Sequence, residues 1–361
     1  MSKSDEMREN VKRYYGSRLE SSSDLQTSAT SCSLPRSPLP SSVTEALSLV
    51  HPEVIKRFFG CGIPVPAKLE GCRVLDLGSG SGRDCFAFSK LVGPSGQVTG
   101  IDMTEQLITA SRQFVEYHQR KFGHKEPNVT FIQGYMEKLC EAGIQRDSMD
   151  VLISNCVICL CPDKKSVLQQ AYDVLKDGGE LYFSDMYASS IIPDHMKQDP
   201  VLWGEGMGGS VFWKDLVFLA HSVGFSTPLL VSASHIEVHN SQLKAKAGDI
   251  RYASGTYRLF KLPQQPGMSG AAVIYKGTIP EFPDQLDFDS SHCFKKDQEV
   301  EVDAEMAAIL QVSRFSSDFT VRMLDKHKSD SKSTPQYCHL NPFLLADRWG
   351  SSVKQCSKTS R

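Results

Sequence analysis

The stretch Val74-Leu-Asp-Leu-Gly-Ser-Gly-Ser-Gly-Arg-Asp84 holds the residues best placed to do chemistry. An apolar run enters Asp76, glycines follow at 78, 80 and 82, and a helix is expected to begin near Ser81. Such a turn adopts positive φ and lets a ligand approach the main chain closely. Twenty residues past Gly82, the run Gln97-Val-Thr-Gly-Ile101 ends in Asp102. A carboxylate at that strand tip can accept hydrogen bonds from two ribose hydroxyls. The spacing therefore implies a nucleotide-like cofactor. The dinucleotide fingerprint is G-x-G-x-x-G, set against a pyrophosphate, whereas here the glycines alternate and an acid stands two residues before the first. Taken alone, such a turn is also an ordinary strand-to-helix connection.

Thiols are the second chemical signal. Eleven cysteines is an odd count and there is no paired C-x-x-C, so neither a disulfide framework nor a structural zinc site is expected. Cys61 lies between Gly60 and Gly62, where closely approached backbone is expected. Cys156 follows the apolar run Asp150-Val-Leu-Ile-Ser154 and is either a functional thiol at a strand tip or a buried apolar one. Cys159 and Cys161 read as apolar filling after that strand, and Cys72, Cys85 and Cys140 as structural. Exposed thiolates suit a soft, thiophilic ligand.

Strands are expected at 72–77, 97–101, 128–132, 150–154 and 180–185, with helices at 81–92, 104–122 and 164–176, the last capped by Asp177-Gly-Gly179. This alternation predicts an α/β fold with a doubly wound parallel sheet, whose ligands sit at the carboxyl ends of the strands. Asp76, Asp102, residues 133–137 and 154–156 would share that edge. Helices are also expected at 6–20, 44–59, 213–223 and 304–311, and strands at 256–260 and 271–275. The chain divides into N-terminal helices with a Ser/Pro-rich loop (1–60), a cofactor-binding Rossmann-like domain (61–190), an acceptor-binding region (191–262), a small C-terminal α+β domain (263–325) and a poorly ordered tail (326–361).

Forty Lys+Arg against 42 Asp+Glu leaves a net charge of −2, which disfavours a nucleic-acid or anionic membrane partner. The charged N-terminus carries no apolar signal core and no apolar run spans a bilayer, so a cytoplasmic monomer is expected.

The 76–84 run resembles motif I of class I S-adenosylmethionine-dependent methyltransferases, whose cofactor offers an ammonium and a sulfonium to nearby acids. With Gly100-Ile-Asp-Met103, Ser154-Asn-Cys-Val157, Gly178–Asp185, Tyr14-Tyr-Gly16, Gly60-Cys-Gly62, Val201-Leu-Trp-Gly-Glu205 and Tyr257-Arg-Leu-Phe260, the chain resembles the arsenite methyltransferases of animal type. The resemblance implies methyl transfer to trivalent arsenic, supplied as arsenite or its thiol conjugate. It implies arsenic ligands at Cys61 and Cys156, and Cys32 as partner of Cys61 in a transient disulfide renewed by a glutathione- or thioredoxin-type reductant. Cofactor contacts implied are Asp76, Gly78, Ser79, Gly80, Arg83, Asp102, Met103, Tyr135, Met136 and Asn155. The family's third ligand cysteine is replaced by Gly206, so an external thiol, Cys159 or Cys161 must substitute, or activity falls. For Cys159 to do so, the chain must turn back after the strand. The alternatives are a non-catalytic arsenite-binding protein and a small-molecule C- or O-methyltransferase.

Overall fold

The computed structural model describes residues 3–18, 39–58, 62–263, 269–324 and 337–353. Helix α1 (Lys3–Arg13) runs into a π turn at Tyr14–Arg18. The single helix expected from 44 to 59 is two, α2 (Ser41–Ser48) and α3 (Pro52–Lys56). Pro52 has no N–H to continue a helix but is suited to open one, and His51 caps α3 by accepting the Glu53 N–H at 3.2 Å.

The alternating core follows as β1 (Arg73–Leu77), α4 (Arg83–Val92), β2 (Gln97–Asp102), α5 (Glu105–Arg112), α6 (Val115–Phe122), β3 (Val129–Gln133), β4 (Met149–Asn155), α7 (Lys164–Val174) and β5 (Leu175–Ala188). The helix expected at 104–122 breaks at Phe114, which leaves helical backbone and packs its ring 4.4 Å from that of His51. Asp177-Gly-Gly179 does not cap α7, because that helix already ends at Val174 and β5 begins at Leu175. Gly178 has φ +77°, and a Cβ there would lie 2.1 Å from the Val312 carbonyl oxygen. Close approach of two chain segments, not capping, demands that glycine.

Next come α8 (Asp194–Lys197), α9 (Pro200–Gly204), β6 (Val211–Phe212), α10 (Asp215–Val223), β7 (Leu229–Ile236), α11 (Ser241–Ala247) and β8 (Tyr252–Phe260). The main sheet runs β3-β2-β1-β4-β5-β8-β7, with β6 also on β5. Strands β1 to β5 are parallel, but β8 is antiparallel to both β5 and β7, so the sheet is mixed. The strands expected between 72 and 185 are parallel as read, and β8, from the stretch where the strand–helix alternation stops, runs the other way. Residues 191–262 are correspondingly an extension of the sheet rather than a separate layer.

Apolar residues fill both faces. Leu75, Leu77, Leu152 and Leu181 pack toward α7 and α10, while Val74, Val98, Val151 and Ile153 meet Phe86 and Phe88 of α4. Buried strands of this kind read as continuous apolar runs. Beyond them β9 (Ala271–Tyr275), β10 (Gln285–Asp287), β11 (Cys293–Lys295), β12 (Glu299–Val302), α12 (Ala304–Val312) and β13 (Phe319–Met323) form a β12-β9-β13 sheet, a β10–β11 hairpin and a helix around Phe288, Phe294 and Phe315. The tail is ordered where it is described: α13 (Pro342–Val353) packs Phe343 and Leu345 into the main core, and Tyr257 donates to the Leu340 carbonyl at 2.7 Å.

Glu180 on β5 joins the small domain to the sheet. It is 0 % exposed and accepts from Arg258 at 2.8 Å and Arg314 at 2.5 Å. Burial alone would raise its carboxyl, but those two guanidiniums hold it below the ordinary range. Glu180→Ala would leave two buried cations unpaired, and is expected to cost about 3–5 kcal/mol in urea unfolding.

Candidate active site

The carboxyl ends of β1, β2 and β4 open on one cleft of ≈ 970 Å³, its mouth included. Its wall at β1 is the glycine turn. A Cβ on Gly78 would lie 2.5 Å from Val157, and one on Gly82 would lie 2.7 Å from Phe131. At Gly80 no atom lies within 4 Å of that position, so this backbone faces open space. The turn is pinned to the next strand, since the Gly80 N–H donates to Asp102 Oδ2 at 3.0 Å and the Thr104 N–H to Oδ1 at 2.8 Å. Asp102 thus spends one lone pair of each oxygen on the backbone and keeps others for a ligand. Burial raises its carboxyl, and these two N–H bonds oppose the rise.

Asp76 is 3 % exposed and pushed up to about 8 by burial and by Asp84 nearby, while the Cys85 thiol, donating at 3.1 Å, pulls the other way. The Ser79 hydroxyl is buried in the cleft wall and has no protein partner among the described residues. A cation would relieve the first strain and a ligand acceptor the second.

Beside this turn, Asp84 and Asn155 hold the chain leaving the Gly60–Gly62 segment. Asn155 Nδ2 donates to Asp84 Oδ2 at 2.8 Å and to the Gly62 carbonyl at 3.2 Å. Arg83 donates to the same carbonyl and to Asp84 at 2.7 Å, with its guanidinium over the Phe58 ring. Arg83 does not line the cleft; it anchors the wall from behind. The other nine expected cofactor contacts, Asp76, Gly78, Ser79, Gly80, Asp102, Met103, Tyr135, Met136 and Asn155, all line it. Cys32 and Cys61 lie outside the described residues.

Sequence reasoning missed the cover. Helix α1 and the π turn after it lay Arg8, Val11 and Tyr15 over the cleft. Arg8 pairs with Glu137 at 3.1 Å, Lys12 donates to the Tyr135 hydroxyl at 2.6 Å, Tyr14 to Glu205 at 2.5 Å and Tyr15 to the Gly204 carbonyl at 2.9 Å. Met7 and Val11, set among charged and polar residues, were the hint of an inward face.

Cys156 also lines the cleft. It adopts φ +57°, rare for a side chain with a Cβ, and its N–H donates to the Ser184 carbonyl at 2.8 Å. Strain of this kind marks functional positions. Cys156 is disulfide-bonded, and every other described cysteine is free, so its partner lies outside the described residues. After Cys156 the chain does turn back, in a single 3-10 turn at Ile158–Leu160 fixed by the Cys159 N–H donating to Asp185 Oδ2 at 2.9 Å. Cys161 points elsewhere, its sulfur 3.3 Å from Met136 Sδ. Gly206 is buried with φ +81°, and a Cβ there would lie 3.1 Å from Cys159 Sγ. Among the described residues no three His, Cys, Asp or Glu side chains gather as a metal site, and no helix is long and apolar enough to cross a membrane.

The chain resembles known proteins over most of its length. A methyltransferase-domain profile matches residues 68–232 and an arsenite methyltransferase C-terminal domain profile residues 269–361. The arsenite methyltransferase of Mus musculus is 50 % identical, covering 95 % of this chain and 92 % of its own. That of Homo sapiens is 46 % identical, covering 97 % and 94 %. Among solved structures, CrArsM, an arsenic(III) S-adenosylmethionine methyltransferase from Chlamydomonas reinhardtii, superposes with a TM-score of 0.76 at 41 % identity, covering 80 % of this chain and 97 % of that one.

Two outcomes follow from the geometry. Since the folded chain holds a proton on Asp76 up to about pH 8 while the unfolded chain releases it near 4, this group makes stability fall as pH rises between those values. Asp76→Asn should flatten that fall in the melting temperature of the ligand-free protein, yet weaken S-adenosylmethionine binding at least tenfold by thermal shift. The 3.1 Å separation at Gly206 is about that between a disulfide's Cβ and its far sulfur. Gly206→Cys is therefore expected to cross-link to Cys159 under mild oxidation, read by peptide mass mapping without reductant.

Proposed function

We propose that this chain, which belongs to the arsenite methyltransferase family, transfers a methyl group from S-adenosylmethionine to trivalent arsenic held by cysteine thiolates. The observation that supports arsenic as acceptor is the position of Cys156: strained into left-handed backbone, in the wall of the cofactor cleft, one residue past Asn155.

When bound, S-adenosylmethionine supplies an electrophilic methyl on a sulfonium, to which a lone pair on arsenic can add. Asp76, Ser79, Gly80 and Asp102 would hold the cofactor, and Asn155 and Arg83 fix the wall by gripping Gly62 and Asp84. Helix α1 closes over the cleft and excludes water, which strengthens every polar contact beneath it. Cys61 and Cys156 are the arsenic ligands in this reading. Each As–S bond forms as an As–O bond breaks, and the thiol proton leaves with the hydroxide as water. No general base is required in the methyl-accepting step, because arsenic loses no proton. Methyl addition takes arsenic from the trivalent to the pentavalent state. Cys32 and Cys61 then supply two electrons, closing a disulfide that a glutathione- or thioredoxin-type thiol reopens. Gly206 offers no sulfur, so full activity depends on a third donor from elsewhere. The work is assigned to a monomer in the cytoplasm.

The test incubates the reduced chain with S-adenosylmethionine, arsenite and excess thiol, separating arsenic species by chromatography with mass detection. Mono- or dimethylated arsenic is expected from the native chain, with at least a hundredfold loss for Cys156→Ser. Arsenite binding without cofactor consumption would identify a sequestering protein. Neither binding nor turnover would turn the assignment to an organic acceptor.

A further inference from the structure

Of the run Gly100-Ile-Asp-Met103, the last three residues line the cofactor cleft and Gly100 does not. Gly100 lies opposite Asp76 in the β1–β2 register. Space, not backbone freedom, demands this glycine. Its φ is not positive, but a Cβ there would lie 2.8 Å from each of Cys85 Sγ, Phe131 Cδ1 and Ser79 Cβ. The sulfur that uses this space comes from the first turn of α4. Cys85 is 0 % exposed, and its thiol donates to Asp76 Oδ2 at 3.1 Å. Burial, and Asp76 beside it, push that thiol well above its ordinary range, so it stays a proton donor. Around Asp76 stand Arg83 and Asp84 on α4 and Asp102 on β2. Arg8, Tyr15, Arg57, Tyr135, Glu137, Cys156 and Cys161 also line its cleft. Burial, then Asp84 and Asp102, raise the Asp76 carboxyl; the Cys85 thiol and Arg83 oppose the rise.

We propose that Cys85 is a positioning residue for cofactor binding: its thiol turns one oxygen of Asp76 toward α4 and leaves the other for the ammonium of S-adenosylmethionine. This rests on the reading of Asp76 as a cofactor contact and names what sets that contact. A thiol is a weak donor, and Asp76, buried near two other acids, keeps its proton until a cation arrives. The ammonium then displaces that proton to solvent, and no bond of the cofactor changes. Affinity therefore rises with pH until the ligand-free Asp76 ionises, at about 8. Loss of the donor at 85 moves that point higher, because a hydrogen bond to the charged form favours ionisation. Gly100 serves the same contact by leaving room for the sulfur.

The test titrates the full, reduced chain with S-adenosylmethionine by calorimetry, in buffers of different ionisation enthalpy so that released protons are counted. At about pH 7 the native chain should release close to one proton, and Asp76→Asn, binding more weakly, none. Cys85→Ala and Cys85→Val, which lack a donor, should bind about threefold more weakly than the native chain at that pH. Their deficit should close by about pH 9, where Asp76 is ionised in every chain, whereas a packing defect would persist. Taking each variant as a ratio to the native chain cancels titration of the ligand's own ammonium. Cys85→Ser keeps a donor and should track the native chain, and Cys140→Ala, outside the cleft lining, should not depart from it. A deficit in the Ala and Val variants that does not change with pH, no deficit in either, or a Ser variant that falls with them would overturn the role of Cys85 and leave Asp76 in place. Proton release by Asp76→Asn equal to that of the native chain would overturn the cofactor role of Asp76, and the proposal with it.

Discussion

One carbonyl group holds the two halves of the site in register. The Gly62 oxygen accepts from Asn155 at the end of β4 and from Arg83 at the start of α4, and both donors also engage the buried Asp84. A single acceptor shared by two donors fixes a loop far better than packing of glycines could, because a charge-assisted bond and a planar fork allow little rotation. The glycine turn that faces the cofactor and the strand end that bears Cys156 are thereby locked to the segment leaving Cys61. Cofactor side and sulfur side cannot drift apart without breaking this knot.

Backbone strain is concentrated on the sulfur side of the same knot. Cys156 at φ +57° costs about 1–2 kcal/mol relative to ordinary backbone. The Ser184 carbonyl accepts its N–H just past the last β4–β5 pair, Asn155 with Ser184. From that point the chain reverses within one 3-10 turn, since Asp185 on β5 receives the Cys159 N–H. The reversal leaves Cys156 in the wall of the cleft and buries Cys159 beside Gly206. An extended continuation of β4 would have carried Cys159 away along the sheet.

Much of this was legible in the sequence for a physical reason: buried parallel strands demand long apolar runs, and tight turns between them demand glycine. Asp76, Asp102 and the 78-80-82 glycines were therefore readable with their positions, and nine of the ten expected contacts line the cleft. Arg83 bonds the Gly62 carbonyl and Asp84 instead of lining the cleft, and adjacency to a motif does not reveal which way a side chain points. Strand direction was unreadable at β8, since an apolar run is symmetric. The cover by α1 escaped because its contacts, Arg8 with Glu137 and Tyr14 with Glu205, join residues more than a hundred positions apart. The ordered tail escaped for a similar reason: Pro342–Val353 is stabilised by the faces of β7 and β8, not by its own propensity.

A glycine in a packed interior normally leaves a void, and a void the size of a side chain is costly. At position 206 it leaves none, because the Cys159 sulfur lies 3.1 Å from the missing Cβ with Met186 beside it. The thiol of 159 fills the space beside 206, and a Cβ at 206 would meet it at 3.1 Å. Cys159 and the backbone at 206 thus share one packed volume, with Met186 closing it.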